Sequence, residues 1–261
     1  MTATARLLEQ RSVGHVHVRM ERDGPAIMRE AGSAKCRLPR GTNEAILINT
    51  SGGLAGGDSV FIKAEVGDGA ALTLTTQSAE RVYRTLGPAA EVHVSLSVGG
   101  NAKLLWLPQE TIVFDNSALS RSLEVDVAEG ASFLAIDSLV FGRTEMGEQA
   151  HNISIVDRWN VRRQGKLVHA EALNLGPRLP TADACLAGNF AMATLVMISP
   201  HVDVLVERVR EVLDSTDGAS AWNGKLVARL LAKDGFHLRK TLIQVLDVCV
   251  GCESLPKCWT F

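Results

Sequence analysis

Three stretches of this chain follow one pattern: VGDGAALTLTTQS at 66–78, VGGNAKLLWLPQE at 98–110 and VAEGASFLAIDSL at 127–139. Each opens on a valine, turns through three residues rich in Gly, Asp, Asn and Glu, reaches an alanine, runs through a short apolar strand and ends in polar residues. The opening valines, Val66, Val98 and Val127, lie 32 and then 29 residues apart. A turn-plus-strand unit recurring about every 30 residues cannot bury its apolar face alone, so the units must stack on one another. The segments leading into the turns support this. Val60, Ile62, Ala64 and Val66 alternate with polar or exposed-type residues, as do Val92, Val94, Leu96 and Val98, and then Leu123, Val125 and Val127. Period-two alternation places one face of a strand on a core and the other toward solvent. The expected class is mainly β, with stacked, β-helix-like layers or layered antiparallel sheet, and a few α-helices toward the C-terminus.

If the units stack, equivalent positions form columns. Thr76, Pro108 and Asp137 fall in one, and Ser78, Glu110 and Leu139 in another two positions on, with Gln77, Gln109 and Ser138 between. Buried polar columns are unfavourable unless they satisfy one another, hold water or meet an ion.

The last third changes character. HVDVLVERVREVLDS, from His201, places Val202, Leu205, Val206, Val209 and Leu213 at helical spacing, a helix of about four turns. A loop with Gly218 follows, then GKLVARLLAKDG and FHLRKTLIQVLDVCV, both read as helices. No linker or composition boundary divides the chain, so residues 1–261 are expected to form one domain, β-rich over 1–199 and helical over 200–261.

Composition narrows the function. Hydrophobic residues at 46% and charged residues at 21% describe an ordinary globular chain, and a net charge of −2 gives no general pull toward nucleic acid or anionic membrane. No apolar run spans a bilayer and the N-terminus lacks a signal-peptide pattern, so the expected location is cytoplasmic. Five scattered cysteines fit a reducing compartment, with Cys36 and Cys185 expected as small buried hydrophobes. Cys249 and Cys252, with Cys258 beyond, make one CxxC pair plus one, short of a four-ligand zinc site.

Catalytic signatures are missing. The glycine-rich run Ser51 to Asp58 is followed by a strand-like stretch and no lysine, which suits a tight β-turn and not a phosphate-binding loop. No GxSxG or HExxH occurs. The enzymatic alternative is a β-sheet hydrolase or isomerase in which Asp58, Glu110, Asp137 and Glu171 supply paired carboxylates.

A set of motifs in order along the chain resembles the urease accessory protein UreD (UreH) family. They are Gly52-Gly53-Leu54-Ala55-Gly56-Gly57-Asp58, Thr75 to Ser78 with Arg81 to Thr85, Trp106 to Glu110 with Phe114, and Phe141-Gly142-Arg143 with Glu145 to Glu148. The stretch Asp157 to Glu171 looks like the family's central strand pair, and Leu255-Pro256-Lys257 with Trp259 is similar to its usual ending. The likeness runs from about residue 30 to the C-terminus. It implies a β-rich stack of strands and a role that is not enzymatic: a scaffold or metallochaperone binding apo-urease and the partner UreF, which recruits the GTPase UreG, with a possible dimer of the accessory complex. It implies no permanently bound cofactor, only transient passage of Ni²⁺, through an internal channel. Asp58, Glu110, Asp137 and Glu171 are then the expected metal-lining carboxylates, with Thr76 and Ser78 as further polar lining. Oxygen donors hold a borderline cation weakly enough to release it. The structural alternative is that these carboxylates cap turns or pair with Arg81, Arg84 and Arg143, and a third reading is an interaction module with no nickel path. No inherited role attaches to Cys249, Cys252 or Cys258.

Overall fold

The computed structural model describes residues 11–143, 147–251 and 254–260. Glu145 and Met146 of the motifs above, and Cys252, lie outside the described residues. In chain order the strands are β1 (Val13–Glu21), β2 (Gly24–Gly32), β3 (Ala34–Arg37), β4 (Glu44–Asn49), β5 (Ser59–Val66), β6 (Ala71–Thr76), β7 (Glu80–Val82), β8 (Ala90–Val98), β9 (Lys103–Leu107), β10 (Thr111–Val113), β11 (Ser117–Val127), β12 (Ser132–Phe141), β13 (Ile153–Arg163), β14 (Lys166–Leu175) and β15 (Ala191–Ile198). Helix α1 (Val202–Val212), strands β16 (Gly218–Trp222) and β17 (Lys225–Ala232), and helix α2 (Gly235–Val250) complete the order.

Two sheets face each other. The first runs β14-β13-β11-β8-β5-β1-β2, and the second β16-β17-β15-β12-β9-β6-β4-β3 with β7 and β10 beside it. The repeat is the device that builds both. Each unit ends a strand of the first sheet on its valine, turns, and enters a strand of the second sheet just after its buried alanine, Ala70, Ala102 or Ala131. Val66 pairs with Val98 and Val98 with Val127, while across the turn Ala71 pairs with Lys103 and Lys103 with Ser132. These ladders are parallel, which makes the architecture a stack of layers and not antiparallel hairpins.

The two sheets differ in what covers them. Strands β5, β8 and β11 bury one face, as their alternation requires. Strand β12 is buried almost throughout, because α1 and α2 pack on the outer face of the second sheet around Leu105, Leu134, Ile136 and Leu195. A strand covered on both faces reads as a continuous apolar run.

Five expectations need correction. GKLVARLLA forms strand β17, not a helix: Leu226, Ala228 and Leu230 point to one buried face, and the strand pairs with β15. Asn223 and Gly224, both at positive φ, make the two-residue turn that joins it to β16, which the sequence reading treats as loop. The Asp157–Glu171 stretch is the β13–β14 hairpin at the edge of the first sheet, not a central pair. Cys185 is exposed, whereas Cys36 is buried as expected. Helix α1 has 11 residues, nearer three turns than four.

The glycine-rich run is a turn, as read. Gly53 sits at φ 150°, and a Cβ there would stand 2.3 Å from the Tyr83 ring, whose hydroxyl donates to the Gly52 carbonyl at 2.9 Å.

Candidate functional site

Between the sheets lies a succession of three cavities that share lining residues. The first, of about 100 Å³, is bounded by Lys35, Leu47, Asn49 and Ser78, and shares Val60, Ile62, Thr76 and Glu80 with the second. The second, of about 90 Å³, is bounded by Trp106, Pro108, Gln109, Thr111 and Arg121, and shares Asp137 and Trp159 with the third. The third holds only about 10 Å³ and is closed by Asp157, Glu171 and Thr194. That is room for about one water molecule.

The polar column accounts for this placement. Thr76, Pro108 and Asp137 all line the central cavity. Thr76 Oγ1 accepts the Gln109 amide at 2.8 Å and donates to the Ser78 carbonyl at 3.1 Å. The second expected column is shifted. Leu139 pairs with Thr111, and Thr111 with Glu80, so Glu80 and Thr111 occupy the places expected for Ser78 and Glu110. The cause is that β12 runs unbroken while the equivalent strands break after Thr76 and after Leu107. Pro108, which has no amide hydrogen for the ladder, falls in the second break.

The expected carboxylates therefore have different surroundings. Asp58 is buried as a turn cap, its Oδ1 accepting the Ser12 amide at 2.7 Å and its Oδ2 the Ala55 amide at 2.8 Å. Glu110 accepts from Arg239 Nη1 at 3.1 and 3.3 Å. Neither is among the lining residues of the three cavities, and Ser78 is exposed at the rim of the first. Asp137 and Glu171 both line the third cavity. Burial pushes the Asp137 carboxyl up to about 6, against the pull of Arg121 and with the help of the neighbouring Asp157 charge. Burial would also raise Glu171, but His169 and Arg229 outweigh it and hold this carboxyl below its ordinary value. Arg229 Nη1 lies 2.5 Å from Glu171 Oε1.

Three residues at these cavities escape the sequence reading. Glu80 stands at the neck shared by the first two cavities, held by Asn49 Nδ2 at 3.0 Å and by the Arg81 amide at 3.0 Å, and burial raises its carboxyl. Arg121 and Asp157 stand between the second and third cavities, where Arg121 Nη2 donates to Asp137 Oδ2 and, at 2.7 Å, to Asp157 Oδ2. Burial alone would pull Arg121 down, but the two carboxylates reverse this and keep it protonated. A signal existed. On β11 the inward positions run Leu119, Arg121, Leu123, Val125, and on β13 Ile155, Asp157, Trp159, Val161, so each charge sits at an apolar parity.

The paired-carboxylate enzyme finds little room here. Asp137 and Glu171 share a cavity that holds about one water, and Glu110 is elsewhere with Arg239. Among the described residues no group of three or more His, Cys, Asp or Glu is placed to hold a metal ion. Cys249 is buried in α2, and burial pushes its thiol up to about 12. No helix among the described residues is long and apolar enough to cross a membrane.

Comparison with known proteins gives a consistent picture. Residues 1–259 match the family model described as UreD urease accessory protein, a wider span than the motifs suggest. Proteins named urease accessory protein UreD are similar over most of their length: that of Mesorhizobium japonicum is 46% identical over 239 residues, covering 88% of this chain and 85% of its own. That of Rhizobium leguminosarum bv. trifolii is 43% identical over 270 residues, covering 99% of each chain, and UreD 1 of Brucella abortus is 42% identical over 241 residues, covering 88% and 86%.

Proposed function

The chain belongs to the UreD urease accessory protein family, and from this premise we propose that it passes nickel ions through its interior to apo-urease. Its role, as a member of that family, is in urease maturation. The observation that carries the proposal is the succession of cavities sharing Thr76 and Glu80 at one neck and Asp137 at the next. A conduit needs polar groups that admit a cation and do not keep it. Oxygen donors spaced along a path meet that need, and a cluster of thiolates or imidazoles does not. The path here is lined by Glu80, Thr76, Asp137 and Glu171, while Asp58 and Glu110 lie off it, in a turn cap and an ion pair with Arg239.

In this reading the chain is a cytoplasmic scaffold, not a catalyst. It holds apo-urease at one end of the path and UreF with the GTPase UreG at the other, and GTP chemistry belongs to UreG because this chain has no P-loop. The helices offer the surface for UreF, since Val204 on α1 is 71% and Phe236 on α2 is 74% exposed. Deleting residues 200–261 is a poor test, because β17 pairs with β15 and Trp259 is buried in the core. Val204→Asp with Phe236→Asp is the better one: UreF co-purification should be lost from a chain whose melting temperature is unchanged.

The direct test is co-expression with the urease subunits, with nickel content and activity as readouts. Glu80→Gln and Asp137→Asn each keep shape and remove a charge. Urease activation should fall about tenfold in each while complex assembly survives. Normal activation in both variants would overturn the path.

A further inference from the structure

One side chain obstructs this path. Arg121, 13% exposed in its side chain, separates the central cavity from the third. Its Nη2 is met from both sheets, by Asp137 Oδ2 from β12 and by Asp157 Oδ2 at 2.7 Å from β13. Asp157 is 3% exposed, also accepts from Trp159 Nε1 at 3.3 Å, and its Oδ1 has no hydrogen-bond partner. Glu171, from β14 next to β13, lines the third cavity with Asp157, and its Oε2 lies 3.4 Å from His169 Nε2. Two carboxylates at this depth are strongly unfavourable without a cation between them.

We propose that Asp137 and Asp157 form a divalent-cation station, and that the Arg121 guanidinium is its resident stand-in, displaced each time a nickel ion passes. The proposal rests on the conduit reading above. Geometry gives the first support. A guanidinium usually engages a carboxylate as a two-nitrogen fork, but here Nη2 alone serves both carboxylates and Nη1 reaches only Thr111 Oγ1, at 3.4 Å. Two carboxylate oxygens converging on one point are the arrangement that suits a metal ion.

Charge gives the second. One guanidinium offsets one of the two carboxylates, whereas a divalent ion neutralises both and repels the guanidinium as it arrives. Space gives the third. The central cavity beside Arg121, of about 90 Å³ and lined by Trp106 and Trp159, gives the guanidinium somewhere to withdraw, and aromatic faces suit a cation. Oxygen donors release nickel readily, and the returning arginine competes the ion off. The station therefore clears itself.

The test is equilibrium dialysis of the full chain against Ni²⁺, then desalting. Arg121→Met should retain one more equivalent of nickel than wild type, bound about tenfold more tightly. The gain should vanish in Arg121→Met/Asp157→Asn and in Arg121→Lys, which restores the positive charge. A folded Arg121→Met with no gain in nickel overturns the station. Should Arg121→Met fail to fold, Asp157→Asn decides. It leaves a one-to-one Arg121–Asp137 pair, and urease activation should fall about tenfold with assembly intact; unchanged activation overturns the station. Glu80→Gln separates the two ideas. If it lowers activation and Asp157→Asn does not, the station is wrong and the path stands. If neither lowers activation, the path is wrong. A nickel gain in Arg121→Met alongside normal activation in both leaves a cation site at Asp137 and Asp157 but overturns the path and the exchange of Arg121 for passing nickel.

Discussion

Two largely enclosed arginines organise this molecule, and they are built for opposite tasks. Arg239, on α2, spreads its nitrogens over several acceptors: Nη1 reaches Gln109 Oε1 at 2.7 Å and the Glu110 carboxylate, and Nη2 reaches the Cys258 carbonyl at 2.8 Å. Its guanidinium also lies 4.7 Å from the centre of the Trp259 ring, and Trp259 Nε1 donates to the Leu107 carbonyl at 3.0 Å. This arginine fastens the C-terminal segment to the strand break after β9. Arg121 instead concentrates both carboxylates on one nitrogen beside open space. A guanidinium held by strong bonds through both terminal nitrogens is a fixed part; one whose two carboxylates share a single nitrogen beside a cavity is a movable one.

Variants that break the fixed cluster should have the largest effect. Trp259 is 1% exposed, and Trp259→Ala should cost about 3–5 kcal/mol, lowering the melting temperature by roughly 10 °C in a thermal scan. An unchanged melting temperature would show that the C-terminal segment is not fastened as described. Arg239→Met should cost less, about 1–3 kcal/mol, because the Glu110 side chain it strands is 20% exposed and partly hydrated. Urease activation should then fall only as far as the amount of folded chain does. A larger fall would mean that the two clusters are not independent.

The Arg121 cluster should reveal itself through pH. The Asp137 carboxyl is raised by burial from 3.8 to about 6, so the folded chain holds a proton that the unfolded chain has released. Stability contributed by that proton is complete below the lower value and is lost as pH rises through the window. Asp137→Asn should flatten the pH dependence of the unfolding free energy there, by about 3 kcal/mol across the window. A slope identical to wild type would mean that Asp137 is ionised throughout. The smallest effect separates the arginines most cleanly. Arg121→Lys should shift stability by less than about 1 kcal/mol, since one ammonium can serve one point, while Arg239→Lys should cost more, having several acceptors to satisfy. Equal losses in urea titrations would erase the distinction.

Much of this was legible before the fold. The valines and alanines of the repeat mark the two sides of each turn, and the alternations of β5, β8 and β11 mark their buried faces. The helices α1 and α2 follow from their spacing. Strand β17 was not legible from periodicity, because GKLVARLLA fits a helical as well as a strand period, and only the free edge of β15 chooses between them. The Asn223-Gly224 pair before it was the better signal, since a two-residue hairpin turn requires positive φ at both positions. The shift from Ser78 and Glu110 to Glu80 and Thr111 was hidden as well, because a break in a strand changes register without changing composition.

What the sequence alone determined is what a strand's own geometry dictates: which residues of the repeat face inward and where the layers turn. Those are local properties of an alternating backbone. What only the tertiary structure decided is that Asp137 and Asp157 meet on Arg121, that Glu80 stands at a neck, and that Asp58 and Glu110 are taken up by other partners. Asp137 comes from one sheet and Arg121 and Asp157 from the other. Their convergence depends on how two twisted sheets pack across a core, a relation between strands distant in the chain that no local pattern encodes.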